Sequence, residues 1–192
     1  MNDQRTKFGG LSARALAIAA SFISGVLWLA WEISRRAWDD GASSDCVTSA
    51  DYFNDATFAL ANAAAAVALA SSFVLLRGAL RWIALAAAIG AVAFGIGNSV
   101  EHCVAEPFFL LFVAGGLMYV LAGCGLAAGL LVTGQLGRWP GLLLGVAALG
   151  MMVLDSSRGG AAVTGVAWLA FGASLALAAS GERLTKGPDG AR

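Results

Sequence analysis

The residues of this chain best suited to chemistry lie together in Asn98-Ser99-Val100-Glu101-His102-Cys103, with Glu106 and Pro107 just after. His102 is the one histidine of the chain and follows a carboxylate directly. Asn98 precedes Glu101 by three positions and His102 by four, so all three share a face if the backbone is helical. A carboxylate beside a titratable imidazole in an apolar segment is the pattern of a proton or cation relay. His102 with Cys103 and nearby carboxylates is instead the start of a metal site, but without a second spaced ligand it matches no zinc signature. The same shortage argues against bis-His haem. The plainest reading is a polar helix end, in which Asn98 and Glu101 hydrogen-bond neighbouring helices and His102 meets water. Pro107 disfavours helix at Glu106. The cluster therefore belongs at a helix end, where charge is cheap to solvate.

Asn62 is the other polar side chain deep in an apolar run. An Asn in lipid usually bonds to another helix, which contributes about 0.6 kcal/mol. By depth, Asn62 and Asn98 are placed to face one another across an outward-open pocket with Glu32 and Asp155. The relay set is thus Asn62, Asn98, Glu101 and His102. Cys46 and Cys103 fall on one side of the apolar segments, where a disulfide between them would pin the first loop over the cluster. Cys124 lies inside an apolar run and reads as a small packing residue.

The elements that position these residues are apolar helices. Hydrophobic residues make up 59 % of the 192 positions and charged residues 12 %, against about 45–50 % and about 25 % in soluble domains. One soluble core of this length would leave large apolar patches in water. A bilayer removes the difficulty. Six segments approach the roughly 17–25 apolar residues that cross its hydrocarbon core: 15–33, 56–76, 80–101, 108–132, 139–154 and 161–180. The runs are continuous and do not alternate, which selects helices over a barrel. The fifth is short, so the fifth and sixth form either two spans or a re-entrant pair. The first follows Arg5, Lys7 and Arg14 but exceeds a signal peptide in length and lacks a small-x-small cleavage site, so it reads as a retained anchor.

Charge orients the bundle. With the N-terminus inside, nine of the twelve Lys and Arg residues are cytoplasmic: Arg5, Lys7, Arg14, Arg77, Arg81, Arg138, Arg183, Lys186 and Arg192. Arg35, Arg36 and Arg158 are outside. The positive-inside rule then gives both termini in the cytoplasm. Acidic residues, from Glu32 through Asp51 and Asp55 to Asp155, gather on the outer side. Asp51 suits the N-cap of the second helix. Trp28, Trp31, Trp38, Trp82 and Trp139 sit near span ends as interfacial anchors, whereas Trp168 falls mid-span and packs. The Gly125/Gly129 and Gly141/Gly145 pairs favour close helix packing within the chain over dimerisation.

The expectation is an all-α integral membrane protein, a six-helix bundle with both termini inside: residues 1–182 one transmembrane domain, 183–192 a short tail. Its setting is a bacterial inner membrane, crossed several times. Standard catalytic signatures are absent, and a single His leaves little acid–base capacity. Zero formal net charge argues against a nucleic-acid partner. No cofactor or metal is expected. The leading reading is a non-enzymatic accessory or structural subunit, in contact with lipid and with a partner subunit or a second copy. The alternative is a small transporter or channel with a polar outer vestibule around Asn98, Glu101 and His102.

Overall fold

The computed structural model describes residues 2–38, 46, 48–103, 108–154 and 158–185, and no side chains at 2–12, 102–103, 151–154 or 181–185. Among these residues there are six helices and no strand: α1 (Asn2–Trp38), α2 (Ser49–Leu75), α3 (Ala79–Cys103), α4 (Phe109–Thr133), α5 (Arg138–Leu154) and α6 (Gly160–Thr185). Apart from α5, each contains a stretch long and apolar enough to cross a membrane. At 17 residues, α5 is about 25 Å long. The chain is therefore compatible with a multi-pass membrane protein. Leu110, Leu121, Val132 and Leu177 point outward with most of their surface exposed, as side chains facing lipid do.

Several helix ends differ from the sequence expectation. Helix α1 runs on through Arg35 and Arg36 because Arg36 Nε donates to Glu32 Oε1 at 2.6 Å, one turn back, and that pair keeps the polar turn helical. Helix α2 starts seven residues earlier than its apolar run. Its N-cap is Thr48, not Asp51: the Asp51 N–H donates to Thr48 Oγ1 and the Thr48 N–H donates to Asp51 Oδ2. This reciprocal pair satisfies two backbone donors in a capping box. At its other end α6 stays helical to Thr185.

The helices alternate in direction, and each packs on its neighbours in the chain. Helix α6 closes the set on α1, so the six form a ring. Helix α5 rises the whole way beside its neighbours, from Gly141 against Leu130 of α4 to Gly150 against Thr164 of α6. One end of the ring gathers the last turns of α1, α3 and α5 and the first turns of α2, α4 and α6, and is called the Cys46 end. At the opposite end the α4–α5 turn passes through left-handed Gly134 and Gly137, at φ 67° and 92°. Its Gln135 Oε1 accepts from the Arg77 N–H at 2.9 Å, tying that turn to the α2–α3 turn.

Small residues determine how the ring closes. A Cβ at Gly97 would strike the backbone nitrogen of Phe112, and one at Gly115 that of Phe94. Helices α3 and α4 thus touch backbone to backbone. The α6–α1 seam is similar: a Cβ at Gly25 would lie 2.7 Å from Gly165 O. Of the two expected glycine pairs, Gly141 and Gly145 both pack on α4, against Leu130 and Ala127, whereas in the other Gly129 meets Leu80 and Gly125 is exposed. Buried hydroxyls are satisfied locally. Ser21, Ser71 and Ser72 donate to the carbonyl four residues back, and Ser24 donates across to Ala61 O of α2 at 3.0 Å.

Gly97→Val should lower stability by about 1–3 kcal/mol, the usual cost of forcing extra atoms into a packed site. Gly125→Ala should be near neutral, since its nearest neighbour would be Ile83 Cγ2 at 3.8 Å. Thermal unfolding in one detergent compares them, and equal losses would contradict the assigned seam.

Candidate functional site

The ring does not fill its own axis. Toward the Cys46 end it leaves a half-open cavity of about 480 Å³, lined from five of the six helices, with the exposed Val113 and Leu117 of α4 at its margin. Helix α1 contributes Trp28, Trp31 and Arg35, one face at helical spacing; α2 contributes Phe58, and α3 Phe94 and Asn98. The remaining wall is Phe112, Gly116, Tyr119 and their neighbours on α4, with Ala148 of α5. The rings interlock. Phe58 meets Trp28 edge-on at 5.3 Å and Phe94 at 5.1 Å, and Phe94 stacks on Phe112 at 4.9 Å. Such arrangements add about 0.5–1.5 kcal/mol each beyond area burial. The Arg35 guanidinium lies over the Trp31 ring, 5.5 Å from its centroid. A volume of this size lies within the range of small-molecule sites, and apolar walls with few polar groups are their usual composition.

One wall is fixed by a polar tie. Asn98 Nδ2 donates to Asp55 Oδ1 at 3.1 Å, and the Ser99 hydroxyl donates to Asp55 O at 3.2 Å. Cys46 Sγ lies 3.0 Å from the other carboxylate oxygen, Asp55 Oδ2. Asp55 thereby joins the start of α2, the end of α3 and the segment before α2. Nearby, the Ser34 hydroxyl donates to Asn54 Oδ1, linking α1 to the same turn of α2.

Several buried polar atoms have no hydrogen-bond partner among the described residues: Trp28 Nε1, Glu32 Oε2, Asn62 Oδ1 and Trp168 Nε1. The last lies near the Tyr119 hydroxyl across the axis without making a bond of normal geometry. Unmade bonds at buried atoms carry a desolvation cost of about 1–3 kcal/mol each.

The expected relay residues take separate positions. Asn98 lines the chamber and is held by Asp55. Asn62 is fully buried one level deeper, with its Cβ against Gly95. Contrary to expectation it bonds to its own helix, Nδ2 donating to Phe58 O at 3.0 Å. Glu101 is half-buried and makes no hydrogen bond or ion pair among the described residues. The side chains of His102 and Cys103, and all of Asp155, lie outside the described residues. Cys124 is half-buried and free.

Trp28 is corrected from an interfacial anchor to a core residue, only 1 % exposed, while Trp38, Trp82 and Trp139 are exposed as expected. Trp168 is fully buried. Sequence reading expected a pocket here, lined by Asn62, Asn98, Glu32 and Asp155; of these Asn98 lines the chamber, and its aromatic wall was not foreseen. Its signal was present as Trp28, Trp31 and Arg35 on one face of α1, with Phe58/Asn62 and Phe94/Asn98 each one turn apart. No family model, curated protein or solved structure matches the chain.

Asn98→Ala should cost about 1.5–3 kcal/mol, the range for a hydrogen bond to a charged group. Glu101→Ala should change stability by about 0.5 kcal/mol or less, as for a side chain away from any network. Thermal unfolding of the two variants reads the difference, and a larger loss for Glu101→Ala would contradict this account of the α2–α3 tie.

Proposed function

We propose that this chain is a six-span protein of a bacterial inner membrane, with both termini in the cytoplasm, that works by binding a small apolar molecule in its aromatic chamber. The observation that carries the reading is the chamber: about 480 Å³ inside the ring, walled by aromatic side chains with Arg35 and Asn98 as its polar points. The orientation rests on nine of twelve cationic residues falling at one end, under the positive-inside rule. The proposed role is non-enzymatic. A protein of this kind acts alone as a carrier or supplies a ligand-holding subunit to a partner.

Transport is the second reading, favoured by a second cavity. At the opposite end about 630 Å³ opens among Arg14, Leu75, Arg77, Gln135, Leu175 and Ala178. Along α2, α4 and α6 the fully buried Leu69, Leu126, Trp168 and Phe171 fall between the levels of the two cavities. The axis is closed there, as it must be in a carrier at rest.

We also propose a Cys46–Cys103 disulfide. Its support is the position of Cys46 beside Asp55, which is bonded in turn to Asn98 and Ser99 on the helix that bears Cys103.

Ligands that bind only the folded state raise its melting temperature. Decanoate, methyl decanoate or decylamine should therefore stabilise the protein in nanodiscs. Val120→Trp, which fills the chamber from α4, should remove the effect while leaving helicity intact. No stabilisation by any of the three would count against the chamber as a binding site. For the disulfide, alkylation of the denatured protein should modify Cys124 alone before reduction and all three cysteines after it. Three modified cysteines without reductant would refute the bond.

A further inference from the structure

We infer that the floor of the chamber is a hydrogen-bond donor, the Tyr119 hydroxyl, and that the molecule held there carries a neutral acceptor at its inner end, such as a ketone or ester carbonyl. The inference rests on the chamber being the binding site and adds the chemical class of its ligand. Its first support is where Tyr119 lies. A Cβ at Gly90 of α3 would strike the Tyr119 nitrogen, whereas Gly115, one turn earlier on α4, meets Phe94. Tyr119 is therefore one turn deeper than Phe94, and with Val120 it is the deepest part of the α4 wall. Its hydroxyl approaches Trp168 of α6, so its ring reaches from the α3–α4 seam across the axis. A molecule entering from the Cys46 end meets that ring last.

The second support is an unmade bond. Tyr119 lines the chamber and is only 5 % exposed, yet its hydroxyl makes no hydrogen bond of normal geometry among the described residues. Trp28 Nε1 and Trp168 Nε1 are sealed as well as unpaired; the Tyr119 oxygen is not sealed. Its neighbour sets which way it can bond. Indole is a donor only, whereas a hydroxyl has one proton and two lone pairs. With the Trp168 N–H directed at the Tyr119 oxygen, the proton of Tyr119 is the part left to turn toward the chamber, and the group it lacks is an acceptor. Depth disfavours a charged one. Tyr119 lies ten residues into α4, about 15 Å along the helix, and a charge carried there loses its water to aromatic walls that cannot replace it. A pure hydrocarbon fills the space but leaves the hydroxyl unpaired. A carbonyl on an apolar chain meets both demands.

The test compares two uncharged probes in nanodiscs, 2-octanone and octane, which differ in one carbonyl oxygen. Each affinity is taken relative to the probe's uptake by Val120→Trp nanodiscs, which supplies the lipid-partition baseline. On that scale octanone is expected to bind about three- to tenfold more tightly than octane, the range for one hydrogen bond. Tyr119→Phe keeps the ring and removes the donor. It should abolish the preference while changing octane affinity less than about twofold, which also shows that the chamber is intact. The carbonyl stretch of bound octanone gives a second measurement, since accepting a hydrogen bond lowers its frequency. It should lie lower in the native protein than in Val120→Trp nanodiscs and return to the lipid value in Tyr119→Phe. Octane binding as tightly as octanone would overturn the inference and leave the chamber as a site. A preference that survives Tyr119→Phe would overturn the role of its hydroxyl. Should Tyr119→Phe lose octane as well, the native carbonyl frequency decides, and an unshifted band overturns the inference. Neither probe binding above the baseline would remove the chamber reading itself.

Discussion

The close approach of α3 to α4 is the contact on which the rest of the molecule depends. In the bilayer proposed for this chain, a leucine gains little by leaving lipid, because lipid tails are as apolar as the side chain. What holds helices together there is dispersion at short range, and each pair of atoms contributes only about 0.1–0.2 kcal/mol. The number of such pairs is greatest where no side chain stands between backbones. Gly97 and Gly115 create that condition. Their contact brings Phe94 flat against Phe112, and this stack is one wall of the chamber. A ring whose helices touch mainly their chain neighbours has no central element to hold it, so its shape is only as firm as its seams.

Closing six helices into a ring also creates an axis with space to fill, and the sequence fills it unevenly. Bulky side chains close the middle, with Trp168, Phe171, Leu69 and Leu126 fully buried. Toward the Cys46 end the rings stand apart and leave the chamber. Hydroxyls avoid unmade bonds by donating back to their own helix, a choice available to Ser and Thr at any helical position. Indole has no such option, because its N–H is held too far from its own backbone. Trp28 and Trp168 are accordingly left with unmade donors, and Trp28 borders the chamber.

Much of this architecture was legible from residue order. Spans three to six were placed to within a few residues at most ends, because Pro107, the Gly134–Gly137 turn and Gly159 interrupt the apolar runs where the helices stop. The ends of α1 and the start of α2 were not, since a helix ends where its backbone hydrogen bonds lose partners and not where polarity changes. The Glu32–Arg36 pair and the Thr48–Asp51 box both carry helix into polar sequence. The site was harder. Asn98 was visible as a polar residue on an apolar helix, but Asp55, its partner, read as one acid among many on the outer side. The aromatic wall was hidden for a different reason: a tryptophan near a span end looks the same in sequence whether it faces the interface or the axis. Which way Trp28 faces is decided by Ser24 and Gly25 one turn earlier, whose contacts with Ala61 and Gly165 rotate that side of α1 inward.

Polar bonds divide the ring unequally. Ser24 and Ser34 join α1 to α2, and Asp55 joins α2 to Asn98 and Ser99 of α3. On the other side Thr164 donates to Ala147 O, between α6 and α5. The seams between the two halves, α3–α4 and α6–α1, contain no such bond among the described residues and consist of glycine-mediated approach. Of the fully buried side chains at mid-depth, Leu69 belongs to the first half and Leu126, Trp168 and Phe171 to the second. Sliding packed helices past one another costs dispersion contacts that re-form in the new register, whereas parting α2 from α3 would leave Asn98 and Asp55 unpaired in a weakly polar setting. Among the described residues the α3–α4, α4–α5 and α6–α1 contacts contain no hydrogen bond between helices, while the Arg77 N–H to Gln135 Oε1 bond still ties the two halves at the end away from Cys46, and the chamber, walled on one side by α1 to α3 and on the other by α4 and α5, lies between halves held together chiefly by packing.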